Sequence, residues 1–141
     1  MLEKGAKANT KDKYSKISLL HEVVIRNDLK FAELLLKHKA NPNTRAKENH
    51  KGPIHDAAFN RNEKMIRLLA EHGANVNIQD ENGDTPMHYA SKNGQHKEVK
   101  ILIYYDADIS IKNKTDLTPL DLAEKENQMH IVRLLKEKEK N

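Results

Sequence analysis

Pairs of adjacent apolar residues recur along the chain at an almost constant interval. The pairs are Leu34-Leu35, Leu68-Leu69, Ile101-Leu102 and Leu134-Leu135. Their second members lie 34, 33 and 33 residues apart. A fixed period in this range is typical of repeat proteins, in which each unit buries its apolar face against its neighbours. The pattern therefore predicts a stack of similar helical units.

Two further markers keep the same register. The first is a short motif whose fourth residue again recurs at steps of 34, 33 and 33, at His21, His55, His88 and Asp121. Its fullest form is Thr85-Pro86-Met87-His88-Tyr89-Ala90. The second marker follows each apolar pair, as Ala40 to Asn43, Gly73 to Asn77 and Ala107 to Ser110. Three independent markers in one register identify the chain as an array of repeats.

Each repeat has the signals of a helix pair followed by a turn. A threonine such as Thr85 can cap a helix, and the proline that follows it sacrifices no useful donor at the first helical position. The first helix is expected to span about nine residues, too few to be stable alone. We expect it to end where Asn27, Gly94 or Asn127 adopts a left-handed conformation. Asn82-Gly83 then predicts a tight hairpin turn before the next repeat.

Alanines recur at one position of the first helix, at Ala57, Ala90 and Ala123. A small side chain at a fixed register predicts that neighbouring first helices approach closely there. Stacking between repeats is therefore expected to stabilise helices that are short by themselves.

These motifs resemble the ankyrin-repeat family over nearly the whole chain. The Thr-Pro-Leu-His-x-Ala signature of that family matches best at Thr85 to Ala90, and Asn77, Gly94, Val99 and Leu102 occupy other signature positions. The resemblance implies an all-α repeat solenoid of stacked helix-turn-helix units joined by β-hairpin loops. Tetratricopeptide repeats have a similar period, but they require a different Trp/Gly/Tyr pattern and no hairpin.

We expect one domain with four repeats, bounded as 13–46, 47–79, 80–112 and 113–141. Residues 1–12 are expected to be the remnant of a preceding repeat, because Leu2 to Ala6 resembles the end of a second helix. That interpretation leaves open whether the chain is an excerpt of a longer protein. The last repeat is expected to end in a charged capping helix, Met129 to Lys140.

Some positions depart from the family pattern. Lys16, His50 and Asp116 stand where the turn glycine is found at Gly83, and the first two hairpins are expected to be one residue longer than the last two. Histidine and aspartate tolerate a positive φ better than lysine does. The first hairpin is therefore expected to be the most distorted.

Composition narrows the functional classes. The chain of 141 residues has no cysteine, which excludes disulfides, a thiolate nucleophile and cysteine zinc sites. No run approaches the roughly 18 apolar residues of a membrane span, and the first residues lack the apolar core of a secretory signal. We therefore expect an intracellular, cytoplasmic location.

Neither catalysis nor metal binding is expected. His21, His55 and His88 fall about 10 Å apart on successive repeats if the stack is regular, too far apart to share a metal ion. We expect these histidines to form hydrogen bonds to the loops between repeats. The sequence has no metalloprotease, nucleophile-elbow or phosphate-loop motif. It accordingly predicts a non-enzymatic protein with no cofactor and no metal.

A binding surface is the remaining expectation. In ankyrin-like stacks the hairpin tips and first helices line a concave face, and the resemblance implies that partners bind there. The candidate residues on that face are Tyr14, Ile17, Ile25, Arg26, Lys51, Phe59, Asn60, Glu81, Asp84, Lys92 and Asn93. An aromatic residue beside basic ones suits a protein or peptide partner with acidic character. The sequence therefore predicts a protein–protein interaction module.

Three alternatives stay open. Phe59 could pack against a neighbouring hairpin instead of facing a partner. The array could be a rigid scaffold segment of a larger protein. The lysine-rich ends, which include Lys136, Lys138 and Lys140, could bind nucleic acid weakly. Membrane insertion is not expected, and the sequence does not determine the oligomeric state.

Overall fold

The computed structural model describes residues 17–141, which form eight helices in four consecutive pairs. The helices are α1 (Leu19–Ile25), α2 (Leu29–Lys37), α3 (Pro53–Phe59), α4 (Glu63–Glu71), α5 (Pro86–Lys92), α6 (His96–Tyr104), α7 (Pro119–Lys125) and α8 (Met129–Lys140). The odd-numbered members, called first helices below, stack on one another in chain order. The even-numbered members, the second helices, form a parallel stack behind them. The architecture is the predicted helical solenoid.

The caps explain where each first helix begins and ends. Thr85 adopts an extended conformation, and its hydroxyl accepts a hydrogen bond from the backbone N–H of His88. Each first helix has seven residues, so the predicted length of about nine is wrong. The helices end earlier because the second residue after each one has a positive φ, as predicted at Asn27, Gly94 and Asn127.

The core lies between the two stacks. The apolar pairs detected in the sequence contribute one fully buried leucine per repeat, namely Leu35, Leu69, Leu102 and Leu135. Ala57, Ala90 and Ala123 are also fully buried, at the positions where adjacent first helices meet. A larger side chain there would have to displace a neighbouring helix.

The loops between repeats turn as hairpins without forming a regular strand in residues 17–141. The N–H of Asp80 donates to the carbonyl of Asp84, and the N–H of Ala46 donates to that of Lys51. The hairpin closed by Ala46 and Lys51 is thus one residue longer than the hairpin closed by Asp80 and Asp84, as predicted. The first hairpin, Lys16 and the segment Leu2 to Ala6 lie outside the described residues.

Neighbouring hairpins are joined to each other. The N–H of Lys114 donates to the carbonyl of Asn82 at 2.9 Å. Gly83 has a φ of +76°, and a Cβ built on it would lie 2.9 Å from the Lys114 nitrogen. His50 and Asp116 also have a positive φ. Glycine is needed at position 83 because the next hairpin approaches so closely.

None of the helices in residues 17–141 has the length and apolar character needed to cross a membrane.

Candidate functional site

The first helices carry two rows of side chains that repeat with the period of the array, and all members except the buried Leu122 are at least partly exposed. One row contains Glu22, Asp56, Tyr89 and Leu122, and the other contains Ile25, Phe59, Lys92 and Lys125. We call the surface formed by these rows the first-helix face. Because the helices are short and stacked, the face is a rigid scaffold for exposed side chains.

Phe59 is the most exposed apolar side chain of this face. It stands at the last position of α3 and is 62% exposed. The alternative in which Phe59 packs against a neighbouring hairpin is therefore wrong. The ring of Phe59 is available to another molecule.

A lysine ammonium stands between two aromatic rings of this face. The Nζ atom of Lys51 lies 5.0 Å from the ring centroid of Tyr89 and 6.0 Å from that of Phe59. Such cation–π geometry orients a long side chain that would otherwise move freely. The backbone of Lys51 is fixed as well, because its carbonyl accepts a hydrogen bond from His21 Nε2 at 2.8 Å. The structure thus places the Lys51 ammonium between the rings of Tyr89 and Phe59 on this face.

Tyr89 ties α5 to the hairpin that precedes it. Its hydroxyl donates to Oδ2 of Asp80, a buried carboxylate whose Oδ1 accepts from the N–H groups of Asn82 and Asp84. Its ring also meets that of His55 edge-on, with centroids 5.5 Å apart. Burial, reinforced by the hydrogen bond to Asp80, raises the pKa of Tyr89. The ring is therefore fixed for contact while its hydroxyl stays protonated.

Asp56 is the acidic member of the face and lies one helical turn before Phe59. Burial raises the pKa of Asp56 to about 6, against the opposing influence of Lys51. The carboxyl group is partly buried. Lys51 does not form an ion pair with it, since the ion pairs found among residues 17–141 lie elsewhere. A partner that brings a donor to Asp56 would relieve its incomplete solvation.

Buried histidines connect each repeat to the next. Thr85 donates its N–H to Nδ1 of His88 at 3.0 Å, and Nε2 of the same ring donates to the carbonyl of Leu117 at 2.9 Å. A carbonyl can only accept, so the ring is neutral with its proton on Nε2. His55 repeats this arrangement with Gly52 and Asp84. The predicted bonding of these histidines to the loops is confirmed.

Burial has an electrostatic consequence for the same histidines. It lowers the pKa of His55 to about 4 and lowers that of His88 as well, although the hydrogen bonds to loop carbonyls oppose the shift. A proton on Nδ1 would confront the backbone N–H that now donates to it. At the fourth equivalent position the Asp121 carboxylate accepts from the N–H of Thr118 and, being an acceptor only, cannot donate to a loop carbonyl as the histidines do.

The structure brings several predicted residues together. Phe59, Lys92 and Asn93 border one groove at the ends of α3 and α5. Asn60 connects two repeats, because its Nδ2 donates to the carbonyl of Ile25 at 3.2 Å. Arg26 is exposed just beyond Ile25, which is 47% exposed.

Other predicted residues have a different environment. The Asp84 carboxylate accepts from Asn113 Nδ2 at 2.8 Å, and the N–H of Glu81 donates to the carbonyl of Asn49. These two residues hold hairpins together in addition to facing solvent. Ile17 is partly buried. Tyr14 lies outside the described residues.

Asp56, Tyr89 and Asp80 were missed as members of the site. Asp56 and Tyr89 precede Phe59 and Lys92 by three residues, which places each pair on the same helical face. That periodicity could have identified them. The role of Asp80 had no such signal, since its bond to Tyr89 depends on how the hairpin folds back over α5.

No group of three or more side chains suited to metal binding comes together in the part of the chain that the structure describes.

The family model for ankyrin repeats, present in many copies, matches residues 20–69 and 54–99, which together cover more than half of the chain. A comparison with curated proteins found no match. Repeats of this kind generally mediate protein–protein interactions. The chain belongs to the ankyrin-repeat family.

Proposed function

We propose that this protein is a non-enzymatic interaction module that binds another protein or peptide through its first-helix face. The observation that carries the proposal is the exposed ring of Phe59, 62% accessible on a rigid helix, with the Lys51 ammonium beside it. Truncating such a ring would remove contact area without opening the core. A side chain of this kind is suited to be a binding hot spot.

The surroundings of Phe59 define the partner's chemistry. Lys51, Arg26 and Lys92 supply positive charge along the face, and Ile25 adds a second apolar contact. An apolar anchor flanked by acidic side chains complements this arrangement. Asp56 would then favour a hydrogen-bond donor next to the anchor. We infer a partner segment that combines apolar and acidic residues.

The two phenylalanines of the chain provide a matched test. Partners are recovered from the native cell with the wild-type protein, and their affinities are then measured with Phe59→Ala and Phe31→Ala. Phe31 is 38% exposed on α2, away from the first-helix face. We expect Phe59→Ala to weaken binding by about 2 kcal/mol, the hot-spot threshold, while Phe31→Ala leaves affinity unchanged. Equal affinities for both variants would contradict the proposal.

Charge substitutions separate this proposal from nucleic-acid binding by the charged ends. Arg26→Glu and Lys51→Glu should slow association and reduce its salt dependence, because charges around an anchor act mainly on encounter. Neutralising Lys136, Lys138 and Lys140 serves as the control and should leave binding of the partner intact. Binding that follows the terminal lysines and ignores Phe59 would favour the nucleic-acid alternative. If the repeats serve as a scaffold only, neither set of changes alters an affinity.

A further inference from the structure

The second helices carry basic residues in two rows that follow the repeat. One row contains Lys64, Lys97 and His130, and the other contains Arg67, Lys100 and Arg133; all six are exposed. We call the five lysines and arginines of these rows the basic stripe. On each helix the two row residues are three positions apart and so lie on one face. Since α4, α6 and α8 pack in order, the rows continue across three helices.

No member of the basic stripe forms an ion pair within the described part of the chain. The ion pairs found among residues 17–141 are Lys37–Glu33 and Lys112–Asp116, and neither involves the stripe. Arg67, Lys97 and Lys100 border one groove between α4 and α6, in which Glu63 is the acidic member. Cations therefore outnumber carboxylates three to one in that groove. In α2 the equivalent of Arg67 is Glu33 and that of Lys64 is the exposed Lys30, so both rows are basic from α4 onwards.

Two large side chains are exposed on the same helical face as the stripe. Tyr104 is 71% exposed four residues after Lys100, and Met129 is 57% exposed four residues before Arg133. A tyrosine ring and a methionine side chain beside lysines and arginines are the groups that adsorb at a lipid headgroup layer. Single-stranded nucleic acid is usually held by successive aromatic platforms, whereas the tyrosines here are Tyr104 and the half-buried Tyr105 packed edge-on against it, and neither recurs in the neighbouring repeats.

We propose that this face adsorbs to anionic lipid surfaces. Positive charges on three neighbouring helices can attract the anionic headgroups of one bilayer. Tyr104 and Met129, which lie among these charges, would contact the same headgroup layer. The contact is peripheral and needs no membrane-spanning helix. The stripe lies on the second helices and Phe59 on a first helix, so lipid and a protein partner could be bound together.

The test measures sedimentation with phosphatidylcholine vesicles that either contain or lack phosphatidylserine. Wild-type protein should bind the phosphatidylserine vesicles preferentially, and more weakly as salt is added. Each cation near such a surface strengthens partitioning roughly five-fold. Lys97→Gln/Lys100→Gln should therefore reduce it by roughly 25-fold. Arg67→Gln/Arg133→Gln tests the other positions of the stripe in the same way.

A matched control has the same loss of charge on the hairpins. Lys112→Gln/Lys114→Gln changes two exposed lysines there and should reduce partitioning far less. Tyr104→Ser should lower the binding that remains at high salt. Phe59→Ala should not affect vesicle binding, so the outcome is separate from that of the protein-binding proposal.

Three outcomes would overturn the inference. The first is wild-type protein that does not distinguish the two kinds of vesicle. The second is a hairpin control that loses as much binding as the stripe variants. The third is an oligonucleotide, single-stranded or duplex, that binds more tightly than the vesicles and depends on Lys97 and Lys100, which would assign the stripe to nucleic acid.

Discussion

Phe31 and Met65 occupy the same position in neighbouring second helices, yet their environments differ. Phe31 is 38% exposed, whereas Met65 is fully buried. The equivalent Ile131 in α8 is 1% exposed, so this position faces the preceding repeat. The burial of a side chain in the array thus depends on which helix packs against it. Residues at the same position of different repeats therefore need not be equally buried.

The opposite side of the second helices shows the complementary trend. Leu36 is 5% exposed and faces the following repeat, while its equivalent Lys136 in α8 is exposed. The first helices differ in the same sense, since Val23 stands where the later repeats have Ala57, Ala90 and Ala123. The α1/α2 pair therefore has an apolar outer side, and the interior pairs have tighter contacts between helices.

The largest expected effect tests this difference directly. Met65→Ala should destabilise the protein by about 2–5 kcal/mol, because it removes a fully buried side chain and leaves a cavity. Phe31→Ala at the equivalent position should cost about 1–2 kcal/mol, since the ring is already partly in water. Urea unfolding followed by circular dichroism measures both. Equal losses would show that α2 is as well packed as α4.

Overpacking should discriminate between the same regions. Ala90→Leu is expected to cost roughly 1–3 kcal/mol, because α3 and α7 enclose that position on both sides. Val23→Leu in α1 adds a methylene at the equivalent position and should cost less. The comparison uses melting temperatures. An unchanged melting temperature for Ala90→Leu would contradict the close approach of the first helices.

The buried histidines should make the interior repeats sensitive to acid. The folded-state pKa of His55 is lowered to about 4, so below its ordinary value of 6.5 the unfolded chain binds more protons. Stability is therefore present above pH 6.5 and lost as the pH falls towards 4. Between pH 7 and pH 5 this contributes a loss of about 2 kcal/mol.

Asp56 acts in the opposite direction. Its pKa is raised to about 6 in the folded state, so it stabilises the fold as the pH falls from 6 towards 3.8. Asp56→Asn should therefore lose more stability than the wild type between pH 7 and pH 5, by about 1 kcal/mol. Denaturant titrations at the two pH values measure this difference. A variant that is less acid-sensitive than the wild type would refute the assignment.

The smallest effect concerns local opening. Amides in Ser18 to Lys37 should exchange faster with solvent than those in Thr85 to Tyr104, by several-fold or roughly 1 kcal/mol. The reason is that each repeat is stabilised by the interfaces on both sides of it. Native-state hydrogen exchange gives the rates. Equal protection of the two segments would mean that the outer side of α2 is covered.

The repeat architecture was predictable because its signals are local and recur. Thr85 caps the helix that follows it, His88 sits within that helix, and Asn82-Gly83 makes the turn before it, so each could be recognised within a few residues. The repetition then fixed the register across the chain. The exact ends of α8, Met129 and Lys140, were found in the same way.

The candidate site was only partly predictable because it depends on contacts between repeats. The register of Phe59 indicated a place on the first-helix face but left open whether its ring packs against a hairpin, and its 62% exposure comes from the structure. The course of the Lys51 side chain over Tyr89 and the bond from Tyr89 to Asp80 arise from loop conformations that no local pattern specifies. Arg61, with a φ of 57°, illustrates the same limit, since arginine has no preference for the left-handed region.

The histidine bridges give the array a direction. Each one uses a ring in one repeat and a loop carbonyl in the next, so a repeat is completed by its successor. Duplicating an interior unit such as 80–112 would preserve the histidine donor and the loop carbonyl that accepts from it at the new junction. Adding a unit after α8 would instead require Asp121→His to supply the missing Nε2 donor. The array is thus suited to insertion within it, whereas a further unit at the α8 end would need both a donor at position 121 and an apolar side chain in place of Lys136.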